Sequence, residues 1–539
     1  MRITNTKIII GCEELTNCNQ NTNKIWYINQ CGYDVDKSKR ATLSNGVRGT
    51  IFYLKNTDGE IVHSGFIRNQ VADFSAFNTV GEYYLECNGI ISDTFKIAEN
   101  RMFDVSVPLA VKFMEMSRQD KFDVGGNSGY AWRDSHQFSF ELNSLAMMYM
   151  SNPDYYNSQP YDVYKVSECE YTELQTQTEP NIIWLMKFGA TRYYDWCVNK
   201  GIQLHALIKG QLAYFLYLYP HISNYVSEEF YRQIRDFTII QWGVSTCNKL
   251  WYEVSGGISH NLFETQSKIG TIKGQLPPAY AIVPNLMMWE VAKRDGLDVA
   301  QDFFDSAYNN MSWLVESVDL TLPSNTKGQR ISEYITFHSL TYFYEMYPNL
   351  CPSGTYEKIL NVAKLFISRS NNIWDYRQFR TLGDLSNSSS TIWVNAETSG
   401  GLCNQPGNVA GFVAVAYSLA RVIDDKKIKK KLRQLAVSHL DHVYGRNPLG
   451  RHFCYTATEE FDGAKIGWVE RYSGGLGNLG YCVGVLDGSP KEENYPYNPN
   501  GNTGYTEGWV AFNSAWNMSL AYLSGENSEI TDGIGIFAK

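Results

Sequence analysis

The period of the sequence changes once, near residue 100, and that change divides the chain into two unlike parts. Between about residues 24 and 97 the hydrophobic residues fall in short runs enriched in aromatic and β-branched types: Trp26-Tyr-Ile-Asn29, Arg48–Leu54, Gly81–Cys87 and Phe95-Lys-Ile-Ala98. Such runs read as strands. Turn signals between them, such as Asn56-Thr-Asp-Gly59, come at the spacing of a small β-sandwich. From about residue 104 the period is helical. Val107–Met116, Asn181–Phe188, Ile202–Ile208, Pro284–Lys293, Val409–Ala420 and Ile428–Ala436 all read as helices, separated by long loops rich in Gly, Asn, Tyr and Trp. On the order of ten to twelve helices are expected, and loops this long in a compact domain are usually functional. The simplest arrangement is a barrel of helical hairpins with a cleft at one end. The expected division is a β-sandwich over residues 1–100 and a helical domain over 101–539.

Size and charge narrow the function. At 539 residues the chain exceeds one ordinary core, and 44% hydrophobic with 19% charged residues is a globular composition. A net charge of -9 argues against nucleic acid or an anionic membrane as partner. Thirteen Trp, 37 Tyr and 26 Phe exceed what cores alone need and suit a cleft that stacks sugar rings. Eleven scattered cysteines, with no Cys-x-x-Cys pair and no His-Glu-x-x-His run, speak against a disulfide framework or a thiolate zinc site. No cofactor and no metal ligand set is expected. The start, Met1–Cys12, lacks the pattern of a signal peptide, and no stretch is apolar enough to span a bilayer, so a cytoplasmic location is expected.

One C-terminal stretch carries a candidate catalytic group. Glu507 stands just ahead of a segment in which Ala511, Ala515, Met518 and Tyr522 recur at helical steps, so the residues after it are expected to form an amphipathic helix. A carboxylate on a loop held by a rigid element is well placed for chemistry. The alternative is a surface Glu favoured by a helix N-terminus.

Five stretches in sequence order resemble glycoside hydrolase family 9, the inverting cellulases: Tyr27–Tyr33, Ala72–Leu85, Asn404–Phe412, Gly445-Arg-Asn-Pro-Leu-Gly-Arg451 and Leu486–Tyr495, the last leading into the Glu507 segment, which resembles the family's terminal motif. The resemblance implies an N-terminal immunoglobulin-like β-sandwich followed by an all-α six-hairpin (α/α) barrel. It also implies a carbohydrate substrate, an oligosaccharide or polysaccharide. Glu507, with Asn513 six residues on, falls on the general acid, although Gly508-Trp509 replaces a common Val-Ala pair. A leaving alkoxide needs a proton, and a carboxyl held partly dry can keep one near neutral pH.

The base is where the resemblance breaks. Gly129-Tyr-Ala-Trp132-Arg133-Asp134-Ser-His136-Gln137 matches a segment whose two Asp residues hold and activate water, with Asp134 at the first Asp and Gln137 at the second. Gln137 has no carboxyl to take a proton. Asp134 then acts as sole base with His136 beside it, or another nucleophile or a group on the sugar serves, or the protein binds sugar without cleaving it. The plain alternative for Asp134 is a partner for Arg133 or a helix cap. Trp132, Arg133, His136, Gln137 and Tyr505 are the expected sugar contacts, with Arg471 standing where the family places a His-His-Arg element. That departure suggests a sugar other than plain cellulose, an amino sugar being one candidate. His338, Trp374 and Trp393 are read as structural. A lyase on the same barrel would need a basic cleft, for which the sequence offers no sign.

Overall fold

In a computed structural model, the chain is described over residues 26–118, 131–132, 140–163, 172–174, 178–201, 203–247, 259–264, 266, 277–322, 325–326, 333–377, 406–447, 450, 510–527 and 532–539. The first part is a sandwich of two sheets. Strands β1 (Trp26–Tyr27), β3 (Arg40–Leu43) and β6 (Val71–Asp73) make the smaller sheet in the order β1-β3-β6. The larger runs β2 (Tyr33–Asp34), β9 (Phe95–Ala98), β7 (Gly81–Cys87), β4 (Ile51–Asn56), β5 (Ile61–Phe66), with β8 (Ile90–Ile91) on β7. Alternation decides which face turns inward. Phe52 and Leu54 of β4 and Tyr83, Leu85 and Cys87 of β7 are buried, and they pack with Trp26, Tyr33, Phe74 and Phe95.

The second part is helical: α1 (Arg101–Met116), α2 (Glu141–Ser151), α3 (Pro153–Asn157), α4 (Asn181–Lys200), α5 (Ala206–Ile222), α6 (Glu228–Trp242), α7 (Ile282–Asp295), α8 (Ala300–Ser317), α9 (Tyr334–Met346), α10 (Thr355–Ser368), α11 (Pro406–Val422), α12 (Lys426–Val443) and α13 (Val510–Gly525). Six of these close a ring: α2 packs on α5, α5 on α7, α7 on α9, α9 on α11, α11 on α13, and α13 back on α2. The other long helices, α1, α4, α6, α8, α10 and α12, lie outside this ring, each against an inner helix. The result is an (α/α) barrel of six hairpins, as expected.

The two layers differ because their surroundings do. Every residue of α2 is buried, as are Tyr334 to Phe343 of α9. An inner helix touches neighbours on all sides, so it carries no solvent face. This corrects the expectation of a one-faced helix after Glu507. In α13 the polar Ser514, Asn517 and Ser519 are as buried as Met518 and Leu520. Asn517 Nδ2 donates to Ser144 Oγ at 3.3 Å and Ser519 Oγ donates to the Ala410 carbonyl, so these polar groups bond across the ring. A smaller correction concerns residues 202–208: the helix begins at Ala206, where His205 Nδ1 accepts the Leu207 N–H at 3.2 Å as its cap.

Buried carboxylates join the sandwich to the barrel, and the most heavily paired is Asp375. Asp375, 4% exposed, accepts from Arg446 Nη2 at 2.8 Å and from Arg40 Nε at 2.9 Å, with Lys431 Nζ at 3.6 Å. Arg40 lies on β3, Arg446 follows α12 and Asp375 follows α10. Burial alone would raise its pKa; the surrounding cations outweigh that and hold it low. Thr42 Oγ1 donates to the Ile373 carbonyl at 2.8 Å, and Tyr27 meets Trp374 edge-on at 5.1 Å. Gln30 N donates to the Tyr444 carbonyl at 2.8 Å. The next residue, Gly445, has φ 114, and a Cβ there would sit 3.0 Å from the Gln30 side chain.

A second carboxyl at this junction titrates in an accessible range. Asp441 is fully buried, accepts from Asn29 Nδ2 at 2.8 Å, and has no hydrogen-bond partner for Oδ2 among the described residues. Burial pushes its pKa from 3.8 up to about 7, against the opposing pull of Arg446. Between those two values the folded chain holds a proton that the unfolded chain has lost, so stability contributed by this site falls as pH rises through that window. Asp441→Asn, which keeps the acceptor for Asn29, is expected to flatten the decline in thermal midpoint between pH 4 and 7. An unaltered slope would show that Asp441 does not carry it.

Candidate active site

Hairpin geometry sends all six inner helices through the ring in one direction. Near their starts, Leu142 N donates to Gln211 Oε1 at 2.8 Å, and Phe140 meets Tyr334 edge-on at 5.9 Å. Near their ends, Arg294 Nη2 donates to the Leu216 carbonyl at 3.2 Å and Arg421 pairs with Glu345 at 2.7 Å. The N-termini therefore share one end of the barrel.

That end carries the long connections. Residues 117–140, 243–281, 318–333, 369–405 and 444–509 all lead from an outer helix into an inner one. At the opposite end, 223–227, 296–299 and 423–425 are tight turns, and only 152–180, which includes α3, is long. The long connections thus enter the inner helices at the positive ends of six helix dipoles, a setting that favours anionic groups and developing negative charge. Below them the axis is filled. A cavity between Asn143, Gln211, Tyr214, Tyr280 and Ser339 has room of only about 10 Å³, about one water at most. A ligand must sit at the mouth rather than within the ring.

Two carboxylates that stand at the starts of inner helices at this end, Glu141 and Glu333, are engaged in structure. Glu141, the first residue of α2, is fully buried and accepts from Tyr193 Oη at 2.9 Å. Glu333, ahead of α9, forms a buried ion pair with Arg377, whose guanidinium lies 4.3 Å from the Phe412 ring centre. Burial pushes the Tyr334 phenol far above its usual pKa, helped by the nearby Glu141, so it stays neutral. These groups shape and brace the floor. Sequence reading passed over all of them, because Glu141 and Glu333 look like ordinary charges at helix starts; a carboxylate with apolar residues on both sides, as in Ser139-Phe-Glu-Leu142, was the available signal.

Of the residues expected to contact sugar, Trp132 is described. It is fully buried, its Nε1–H donates to the Met114 carbonyl at 2.8 Å, and its ring meets Phe188 edge-on at 5.5 Å. A Cβ on Gly189 would come within 2.8 Å of its ring. Those are the contacts of a core residue that anchors the loop before α2, not of a platform open to a ligand. Asp134, Arg133, His136, Gln137, Arg471, Tyr505, Glu507 and Trp393 lie outside the described residues. His338 is internal: its Nδ1 bonds Tyr522 Oη at 2.8 Å, and burial lowers its pKa to about 3, so it is neutral. Trp374 is buried against Tyr27. Among the described residues no group of three or more His, Cys, Asp or Glu is arranged to hold a metal ion. No described helix is long and apolar enough to cross a membrane.

This architecture, a two-sheet sandwich followed by a six-hairpin helical barrel, is shared with solved structures over nearly the whole chain. Residues 21–92 match the family model described as the cellulase N-terminal ig-like domain. Among solved structures, the chain resembles AaCel9A in complex with cellobiose-like isofagomine at 13% identity and a TM-score of 0.60, covering 93% of this chain and 100% of that one. A Bacteroides ovatus GH9 protein matches at 13% identity and a TM-score of 0.56, over 93% and 99% of the two chains. A metagenome-derived glycoside hydrolase family 9 endoglucanase matches at 12% identity and 0.55, over 93% and 98%. No curated protein sequence matches the chain. At these identities the likeness is one of fold, and it extends over both domains.

The buried anchor makes a measurable claim. Trp132→Ala is expected to cost about 3–5 kcal/mol of unfolding free energy, as for a large core aromatic. A thermal or denaturant midpoint unchanged by the substitution, with only sugar affinity reduced, would return Trp132 to the cleft.

Proposed function

We propose that the protein is a glycoside hydrolase that cleaves β-linked oligosaccharides or polysaccharides by an inverting acid/base mechanism, with Glu507 as general acid and Asp134 as general base. One observation carries the proposal most. Helices α2 and α13 are neighbours in the inner ring and start at the same end of the barrel. Asp134 precedes the start of α2 by seven residues, and Glu507 precedes the start of α13 by three. Two loops that enter adjacent parallel helices can present carboxyls to opposite sides of one bound sugar. Inversion requires a separation of roughly 6.5–9.5 Å, enough to admit the attacking water.

In this reading Glu507 protonates the leaving oxygen while Asp134 draws a proton from water on the opposite face of the ring. The helix N-termini beneath the mouth stabilise the carboxylate that Glu507 becomes once its proton has left. Arg133, His136, Gln137, Arg471 and Tyr505 bind hydroxyls, and the protein works in the cytoplasm on short chains, amino sugars included. A second reading rests on Gln137, which stands where the base is expected. With no carboxyl there, a carbohydrate-binding protein that does not cleave remains the rival.

Glu507→Gln separates the two. Hydrolysis of β-linked disaccharides with poor leaving groups is expected to fall by about 10²–10⁴-fold, the usual worth of a positioned proton donor. A variant as fast as the parent would remove Glu507 from the mechanism. A parent inactive on every β-linked substrate yet able to bind them would establish the rival.

A further inference from the structure

A groove with room of about 820 Å³ runs between the sandwich and α12, away from the barrel mouth. Its barrel wall is one face of α12. Lys426, Lys429, Lys430, Arg433, Gln434 and Val437 follow the helical steps of three and four that put side chains on one side. The sign of this wall is opposite to the chain's net charge of -9.

The acids that share the groove are each matched. Asp36 pairs with Lys37 at 3.2 Å, Asp73 with Arg40 at 2.6 Å, and Glu526 with Arg433 at 2.6 Å. Lys426, Lys429 and Lys430 form no ion pair among the described residues, while Lys431, on the adjoining face, is drawn to Asp375 at 3.6 Å. Three ammonium groups thus line the groove with no ion pair within 4 Å among the described residues, Lys429 lying near enough to Glu345 to help hold its carboxyl down against the effect of burial. Beside them Gln434 accepts from Lys431 Nζ through Oε1 at 3.2 Å, and its Nε2 donor is buried without an acceptor among the described residues. Ser38 and Ser75 add hydroxyls along the sandwich wall.

We propose that this groove binds an acidic oligosaccharide, a chain of uronate-bearing sugars, at a site separate from the barrel mouth. The lysines recognise carboxylates; the free amide donor and the hydroxyls recognise sugar oxygens. Lys426 and Lys430 are one helical turn apart, about 6 Å along the axis, comparable to the advance of one unit in an extended sugar chain. The choice of a sugar acid over other anions rests on the carbohydrate reading above; the anionic preference rests on the groove alone.

The test is a calorimetric titration of the full chain with a short oligogalacturonate, a neutral cello-oligosaccharide and inorganic polyphosphate. The oligogalacturonate is expected to bind, more weakly as salt is raised. The triple variant Lys426→Glu/Lys429→Glu/Lys430→Glu, altered only on this half-exposed helix face, should lose about tenfold or more in affinity while leaving hydrolysis of a small neutral substrate unchanged. No binding, equal binding by the variant, or polyphosphate bound as tightly as the uronate would overturn the proposal. Uronate binding retained in a protein that hydrolyses nothing would sink the catalytic reading and leave this one standing.

Discussion

The arrangement of this protein depends on the carboxylate of Asp375. It is buried where three parts of the chain meet, and two guanidiniums and an ammonium surround it. Arg446 is itself fully removed from water, and Arg40 is partly buried. Such a cluster is a constraint more than a reward: replacing it with well-packed apolar residues is often neutral, yet removing one member strands a buried charge at a cost of about 3–5 kcal/mol. It therefore admits one seating of the sandwich on the barrel. The chain leaves this cluster on both sides into the loops 369–405 and 444–509, two of the longest at the mouth. The sandwich thus fixes the points at which the described chain enters those two connections.

The barrel supplies the complementary constraint. Its inner helices are buried on every side, so their polar residues must bond one another, as Asn517 and Ser519 do with α2 and α11. Those bonds fix how far each inner helix is rotated and slid along its neighbour. A residue at the start of one inner helix is then held in register with the start of the next. Two loop carboxyls can be aimed across a narrow mouth only if the helices they lead into do not slip.

Much of the fold was legible because it follows from local periodicity. The switch from a two-residue to a 3.6-residue period near residue 100 marked the sandwich and the helices, and strands such as Gly81–Cys87 fell where expected. What periodicity missed was the environment. Ser514, Asn517 and Ser519 look like a solvent face in sequence, and only the closed ring shows that no solvent is there. Trp132 illustrates the same limit. A Trp beside a candidate base reads as a sugar platform, but its indole is consumed by Met114 and Phe188. Arg446 sits inside the motif Gly445–Arg451, and the ancestry of that motif was visible while its partner, more than seventy positions earlier, was not. Long-range charge pairing leaves no spacing in a sequence. The candidate catalytic residues were legible only through resemblance, and the substitution of Gln137 marks where that resemblance ends.

The central claim is that this scaffold hydrolyses a β-glycosidic bond with inversion. Proton NMR of the anomeric signals during the first moments of digestion of a β-linked oligosaccharide tests it most directly. Inversion gives the α-anomer first, which then relaxes toward the equilibrium mixture. Initial release of the β-anomer, or of a product with an unsaturated end, would contradict it.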